Sequence, residues 1–292
     1  MSSRHLKRLW PLYLRQNAPR FVPYYLLDNM RLTNMNQPQV VLLAGEIVGF
    51  RNDTDRELVF RQESNFFYLS GCTVPSSHLL AAYQPGTSLT KTPSIELFYP
   101  KAELEDLMWS PPPPSLDAAK EMHDVTNVEH TAALPAAIDT LIKALPGALF
   151  HTLPRDSPLF PPLAPEYTQQ ILSADGAVTD LYLLPALHRT RLVKDADEIA
   201  LIKHANQISS RAHEVVMRVL GKAVKGKLEA AVGAGVDRPL LPGEWLIEKE
   251  AEAEALFVAS CRREGCVLIN FLRESTILKI SQDPYIKHIY RS

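Results

Sequence analysis

Histidine and cysteine are the residues of this sequence best suited to ligate a metal ion or to act as nucleophiles. A metal site needs several such side chains, with Asp or Glu, converging on one point. No histidine pair forms a His-x-x-x-His motif with a glutamate. His204 and His213 lie on one predicted helix but about half a turn out of register, so they face different directions. We interpret the histidines as surface or partly buried residues. The nine are His5, His78, His123, His130, His151, His188, His204, His213 and His288.

The three cysteines, Cys72, Cys261 and Cys266, cannot build a disulfide framework. Cys261 and Cys266 are separated by four residues but lack the second pair that a zinc knuckle needs. We interpret them as solitary thiols. Low cysteine use is typical of a reducing compartment, so a cytoplasmic location is expected.

The densest charge cluster lies between residues 51 and 63. Its bases and acids alternate closely, which favours a solvated loop with local ion pairs over a catalytic site. The members are Arg51, Asp53, Asp55, Arg56, Glu57, Arg61 and Glu63. The sequence contains no Gly-x-Ser-x-Gly elbow, no phosphate loop and no complete Gly-x-Gly-x-x-Gly fingerprint. The sequence motifs by themselves therefore indicate no complete set of catalytic residues.

Length and composition define the class of protein. The 292 residues are 46% hydrophobic and 22% charged, which excludes wholesale disorder. A net charge of -2 provides no basic field for nucleic acid, so no nucleic-acid partner is expected. No apolar run approaches the roughly 20 residues that span a bilayer, so no membrane partner is expected either. Residues 1–39 are basic and poor in acids, as in a mitochondrial presequence or a poorly ordered tail.

Strands that alternate with helices indicate an α/β fold, since short apolar runs and longer helical patterns follow one another along the chain. The runs alternate weakly between apolar and polar residues, which predicts strands covered on both faces. Pro154 to Pro165 and Val224 to Leu246 are predicted loops. The predicted strands are Val40–Leu43, Phe66–Leu69, Leu79–Tyr83, Ile95–Tyr99 and Ala148–His151. The predicted helices are Leu116–Met122, capped by Ser115, then Thr131–Leu145, Asp195–Leu220 and Glu248–Glu264, the last ended by Gly265.

The Asp195–Leu220 helix gives the clearest periodicity. Asp195 and Glu198 resemble a capping box at its start. Its predicted core-facing residues are Ile199, Ile202, Ile208, Ala212, Val215 and Val219.

Three segments together resemble the aminopeptidase P and prolidase family, in its fungal Xaa-Pro aminopeptidase form. Residues 51–71, which contain Phe-Arg-Gln and then Phe-Phe-Tyr-Leu-Ser-Gly, resemble a signature of the family's N-terminal domain. Residues 187–213 are similar to the junction and first helix of the catalytic domain, and residues 254–265 to its next helix. Their order and spacing make the combination specific, and the resemblance covers about residues 40–265.

The resemblance implies a mixed sheet with helices on both faces, as in the creatinase and aminopeptidase P N-terminal domain, followed by the first helices of an incomplete pita-bread domain. It divides the chain into a divergent basic segment (1–39), the N-terminal-like α/β domain (40–186), the first helices of a truncated peptidase domain (187–265) and an unrelated tail (266–292). Family members use two manganese ions to cleave bonds next to proline in peptides, and the N-terminal domain takes part in oligomerisation.

The metal ligands of the family are two Asp, one His and two Glu, and the resemblance places them after Gly265. The remaining residues, 266–292, offer only Glu274, Asp283 and His288. We therefore assign no catalytic residue, metal ligand or cofactor to this chain, and predict that it cannot hydrolyse peptides by itself. Trp109 matches a family tryptophan on a loop near a neighbouring subunit's substrate pocket, although it could equally fill a local core gap.

Three interpretations follow from the resemblance. The first is the N-terminal portion of a proline-specific metallopeptidase, inactive alone and associating with itself or with full-length relatives. The second is a fragment of an active dimanganese peptidase whose reading frame continues beyond Gly265. The third is a non-catalytic dimerisation or interaction module.

Overall fold

The structure is a computed structural model that describes residues 37–83, 94–102, 106–108, 112–123, 125–174, 176–224, 247 and 249–265. Trp109, the basic segment up to residue 36, most of the predicted 224–246 loop and the tail from Cys266 lie outside the described residues. The chain forms two compact units, residues 1–195 and 196–292. The domain boundaries given above at 39, 186 and 265 stay predictions.

A six-stranded mixed sheet forms the centre of the first unit, in the order β4-β3-β2-β1-β5-β6. Strand β2 runs antiparallel to both neighbours, and every other pair is parallel. The predicted strands near residues 40, 79, 95 and 148 are confirmed. The strands are β1 (Gln39–Ala44), β2 (His78–Tyr83), β3 (Ser94–Tyr99), β4 (Asn127–His130), β5 (Leu149–His151) and β6 (Ala177–Thr179).

Both faces of the sheet are buried, as the weak alternation predicted. Leu43, Leu79 and Leu97 point into one apolar cluster, whereas Leu42 and Leu80 point into the other. Helices cover each face, which confirms the predicted fold class. The helices of this unit are α1 (Ser64–Ser70), α2 (Leu116–Met122), α3 (Leu134–Ala144), α4 (Pro165–Ser173) and α5 (Leu183–Leu192).

The predicted strand at Phe66–Leu69 is wrong, because these residues belong to α1. The aromatic composition suits a strand, but both ends of the segment carry helix caps. The Glu63 side chain accepts a hydrogen bond from the Phe66 backbone N–H, and Gly71 ends the helix in the left-handed region at φ 64°. Phe66 and Leu69 are buried at helical spacing. Local capping therefore overrides β propensity here.

Two predicted helices are confirmed and several short elements were missed. Ser115 caps α2 by accepting from the Ala118 N–H, and α3 occupies most of the predicted 131–145 segment. Helix α4 begins at Pro165, which had been assigned to the end of a loop, since proline suits the first turn of a helix. Strands β4 and β6 and helix α5 were not predicted.

The second unit is described as a pair of packed helices, α6 (Ala196–Val224) and α7 (Glu250–Arg263). Both confirm predicted helices, and Gly265 has the expected left-handed φ of 88°. Leu256, Phe257 and Cys261 are buried together with Ile208 and Ala212.

Part of the predicted core face of α6 is wrong. Ile199, Ile202 and Val215 are exposed, while Val216 is buried. The helix carries apolar residues around more than one face, and its contacts with α7 bury only one of them. The Asp195–Glu198 capping box stays a prediction. No helix among the described residues has both the length and the apolar character that crossing a membrane requires.

Candidate functional site

Most of the charge cluster predicted at residues 51–63 lies in an exposed hairpin arm, Gly49–Leu58, whereas Glu63 follows the arm and caps α1. The Arg51 N–H donates to the Arg56 carbonyl at 2.8 Å, and the Leu58 N–H donates to the Gly49 carbonyl at 2.8 Å. Phe50 and Glu57 form an isolated antiparallel bridge across it. The charged side chains between them are exposed, which confirms a solvated loop in the arm, while the local ion pairs stay a prediction.

Large apolar side chains stand exposed along the flanks of this arm. Ile47, Phe50 and Leu58 are about half exposed, and Val59 is 79% exposed. Apolar side chains clustered on a surface often mark an interaction site. The arm therefore presents charged groups near its tip and apolar groups near its base.

Gln62, in the Phe-Arg-Gln part of the signature, ties three backbone segments together. Its Oε1 accepts from the Glu46 N–H at 2.6 Å and the Glu63 N–H at 3.0 Å, while its Nε2 donates to the Val74 carbonyl at 3.1 Å. Gly45 lies against it, and a Cβ there would stand 3.1 Å from both amide atoms of Gln62. Since Gln62 is buried and its amide is occupied, its role is to join β1 to the start of α1.

Glu63 and Ser70 of the signature also bond to the backbone around α1. Glu63 Oε2 accepts from the Phe66 N–H at 2.6 Å. Ser70 Oγ donates to the Phe66 carbonyl at 2.7 Å and accepts from the Cys72 N–H at 3.0 Å. The signature thus builds and caps α1 rather than exposing reactive groups. Asn65 differs, because its amide oxygen bonds to Arg191, far along the chain.

One group of buried polar side chains lies beneath α1. Tyr99 Oη and His123 Nε2 are 2.7 Å apart, and Cys72 Sγ lies 3.6 Å from Ser77 Oγ. Burial raises the pKa of the Cys72 thiol, and burial also raises the pKa of Tyr99 and lowers that of His123. All three groups are therefore neutral at pH 7, and a neutral buried thiol is a poor nucleophile. The cluster favours a structural role.

His151 and His78 occupy separate positions on the sheet, and the first is fully buried while the second is half-buried. His151 Nε2 lies 2.5 Å from Gln39 Oε1, and its ring meets Tyr182 edge-on at 6.3 Å. His78 meets the Tyr167 ring edge-on at 5.6 Å. Burial lowers the pKa of each imidazole to about 4. Both imidazoles are therefore neutral at pH 7, and His151, which is fully buried, is not presented to a substrate.

The other described histidines are dispersed. His130, His188 and His204 are exposed, whereas His213 Nδ1–H donates to the Ser209 backbone carbonyl at 2.8 Å and its ring packs edge-on against Phe257. His204 and His213 thus face different directions, as predicted. His5 and His288 lie outside the described residues, as does Trp109.

Among the described residues, no three His, Cys, Asp or Glu side chains lie close enough together to hold a metal ion. This part of the chain therefore does not fit a two-manganese centre.

Comparison with known proteins gives consistent matches. Residues 26–150 match the family model for the aminopeptidase P N-terminal domain. A probable Xaa-Pro aminopeptidase PEPP from Paracoccidioides brasiliensis is 31% identical over 228 residues, which cover 78% of this chain and 40% of that protein. The chain therefore spans about two fifths of the length of this curated relative.

Solved structures support the fold. A putative aminopeptidase P from Bacillus anthracis matches with a TM-score of 0.59 at 14% identity, over 86% of this chain and 53% of that chain. A zinc-substituted Escherichia coli aminopeptidase P in complex with product matches with a TM-score of 0.54 at 17% identity, over 91% and 50% respectively. At such identities the likeness establishes the fold and nothing finer.

Proposed function

Because the chain carries an aminopeptidase P N-terminal domain, we propose that it is the N-terminal portion of a proline-specific metallopeptidase of the Xaa-Pro aminopeptidase type. The match of residues 26–150 to that domain carries the proposal. The relation to a probable Xaa-Pro aminopeptidase, which extends over 228 residues, supports it.

In this proposal the described residues have a structural role and do not take part in catalysis. Gln62 and Glu63 of the signature are hydrogen-bonded to the backbone of the fold, and His151 and Cys72 are neutral. Bond cleavage would depend on two metal ions held by two Asp, one His and two Glu, which the resemblance places after Gly265. Residues 40–186 would then fold the N-terminal domain, help to define the substrate entrance and support association between subunits.

Hydrolysis by the purified chain tests this proposal. With Mn²⁺ and an Xaa-Pro dipeptide or a longer Xaa-Pro peptide, we expect no release of the N-terminal residue. A fungal full-length Xaa-Pro aminopeptidase under the same conditions provides the positive control. Turnover by this chain at a rate similar to that control would refute the proposal.

Trp109 is proposed to approach a substrate pocket in the assembled peptidase. An aromatic face can pack on a proline ring, which would orient a substrate at the entrance. In a complex of this chain with a full-length relative, Trp109→Ala should raise KM for Xaa-Pro peptides more than it changes kcat. Unchanged KM in a complex that still forms would assign Trp109 to local packing.

A longer form of the protein is the corresponding candidate for the active enzyme. Sequencing the transcript past the Gly265 codon tests it. Continuation into a strand with Asp-x-Gly and another Asp eleven residues later would favour an active peptidase. A transcript that encodes residues 266–292 and then stops would favour the inactive portion.

The exposed apolar flank of the hairpin arm favours a second candidate function, a non-catalytic dimerisation or interaction module. Val59 and Phe50 are exposed, so contact with a partner would remove their apolar surface from water. Light scattering at several protein concentrations should show a dimer that Val59→Ser weakens. A chain that is monomeric at every concentration would exclude self-association.

We propose a cytoplasmic location because the chain has few cysteines, as is typical of a reducing compartment. The basic first 39 residues would instead suit import into mitochondria.

A further inference from the structure

Asn65 connects the signature helix α1 with α5, the last helix of the first unit. Its Oδ1 accepts a hydrogen bond from Arg191 Nη1 at 2.9 Å across 126 residues of sequence. Its own Nδ2 donates to Glu63 Oε1 at 2.8 Å. Asn65 is 4% exposed, so water is largely excluded from this contact. A hydrogen bond that involves a charged group is stronger where water is excluded.

Tyr68, one turn further along α1, completes the contact. The Arg191 guanidinium carbon stands 5.7 Å from the centre of the Tyr68 ring, within the range of a cation–π interaction. Residues three apart on a helix share a face, so Asn65 and Tyr68 both lie on the side of α1 that meets α5. We call these two residues the Arg191 socket.

The apolar anchors of α5 lie towards its beginning. Leu183, Ala186 and Leu187 are buried in the same cluster as Phe66 and Leu69 of α1. In the last turn Thr190 is buried, but the apolar residues at the end are not, since Leu192 is 79% exposed and Val193 is 61% exposed. Helix ends fray where packing stops, because the last carbonyl groups have no partners within the helix.

We propose that the Arg191 socket is a latch that holds the last turn of α5 against α1 and so fixes the point at which the chain leaves the N-terminal unit. Arginine suits this position because its planar group can donate to an amide oxygen and lie over a ring at once, whereas a lysine ammonium is a point charge. After the latch, Val193 is extended and α6 begins at Ala196. The signature therefore positions the exit of its own domain.

Hydrogen exchange of the complete chain tests the latch. Arg191→Ala should speed exchange of the amides in the last turn of α5 by about tenfold, while the amides of β1 and β2 keep their rates. Arg191→Lys, which keeps the charge and the fold, should also speed exchange there. His188→Gln, which changes an exposed side chain of the same helix, is the matched control and should leave the last turn at its original rate.

The partner variant makes the test specific. Asn65→Ala should speed exchange in the last turn of α5 although it lies on another helix, and combining it with Arg191→Ala should add little. Unchanged exchange in α5 for Arg191→Ala would overturn the proposal. So would full additivity of the two substitutions, or an equal acceleration throughout the sheet, since either outcome would mean that Arg191 acts without the socket.

Discussion

His151 gives the most quantitative prediction, because its burial links stability to pH. The imidazole is fully buried, and its Nδ1 has no hydrogen-bond partner among the described residues. Protonation would place a charge and an unpaired N–H in the core, so burial lowers the pKa from 6.5 to about 4. In the unfolded chain the same group takes up a proton as the pH falls below 6.5.

The sign and size of the pH effect follow from the difference in bound protons between the folded and unfolded states. Above pH 6.5 the histidine is neutral in both states, and the folded state keeps its full stability. Between pH 6.5 and 4 the unfolded state binds more protons, so the free energy of unfolding falls by up to about 1.4 kcal/mol per pH unit for this one group. The total loss by pH 4 is about 3 kcal/mol, a large share of the roughly 5–15 kcal/mol of a typical domain.

Urea denaturation followed by far-ultraviolet circular dichroism at pH 7, 6, 5 and 4.5 measures this effect. His151→Gln cannot be protonated, so its free energy of unfolding should fall less steeply with decreasing pH than that of the original chain. The comparison is of slopes, so a lower absolute stability of the variant does not matter. His188→Gln, at an exposed position of α5, is the matched control and should keep the original slope. Equal slopes for His151→Gln and the original chain would refute the reasoning.

Four further predictions concern stability. Glu63→Ala removes the cap on the Phe66 N–H and should lower the free energy of unfolding by about 1 kcal/mol, while Glu63→Asp, which keeps a capping carboxylate, should lose less; equal losses in urea titrations would contradict the capping role. Phe66→Ala empties a fully buried site and should cost about 3–5 kcal/mol, measured in the same way, with a loss below 1 kcal/mol as the contrary result. Gln62→Leu leaves two backbone N–H groups and one carbonyl without their amide partner and should cost about 2 kcal/mol or more; a neutral effect on the thermal midpoint would show that water replaces it. Val59→Ser lies on the exposed flank and should change the free energy of unfolding by less than about 0.5 kcal/mol, so a large loss would place Val59 in a buried contact.

Most strands and the long helices could be predicted from the sequence, because burial requires apolar residues at regular positions along each element. The apolar runs of β1 and β2 are short and uninterrupted because both faces of each strand are covered. Helix α6 is long enough for its periodicity to stand out. Strands β4 and β6 have four and three residues, too few for a pattern to develop.

The errors arose where local composition and tertiary context disagree. The Phe-Phe-Tyr-Leu run has the residues of a strand, yet the cap at Glu63 and Gly71 make it a helix. Ile202 on α6 was assigned to the core from spacing alone, whereas the packing of α7 decides which face is buried. The contact of Asn65 with Arg191 joins residues 126 positions apart, a distance that no spacing rule reaches. Family resemblance identified both segments but not their contact.

The central claim is that this chain cannot hydrolyse peptides by itself. Measuring its bound metal together with its hydrolytic activity tests that claim most directly. The purified chain is dialysed against Mn²⁺, its bound metal is measured by atomic spectroscopy, and the same sample is given an Xaa-Pro peptide. The proposed scaffold role predicts no stoichiometric manganese and no released N-terminal residue. Two manganese ions per chain together with peptide turnover would contradict it.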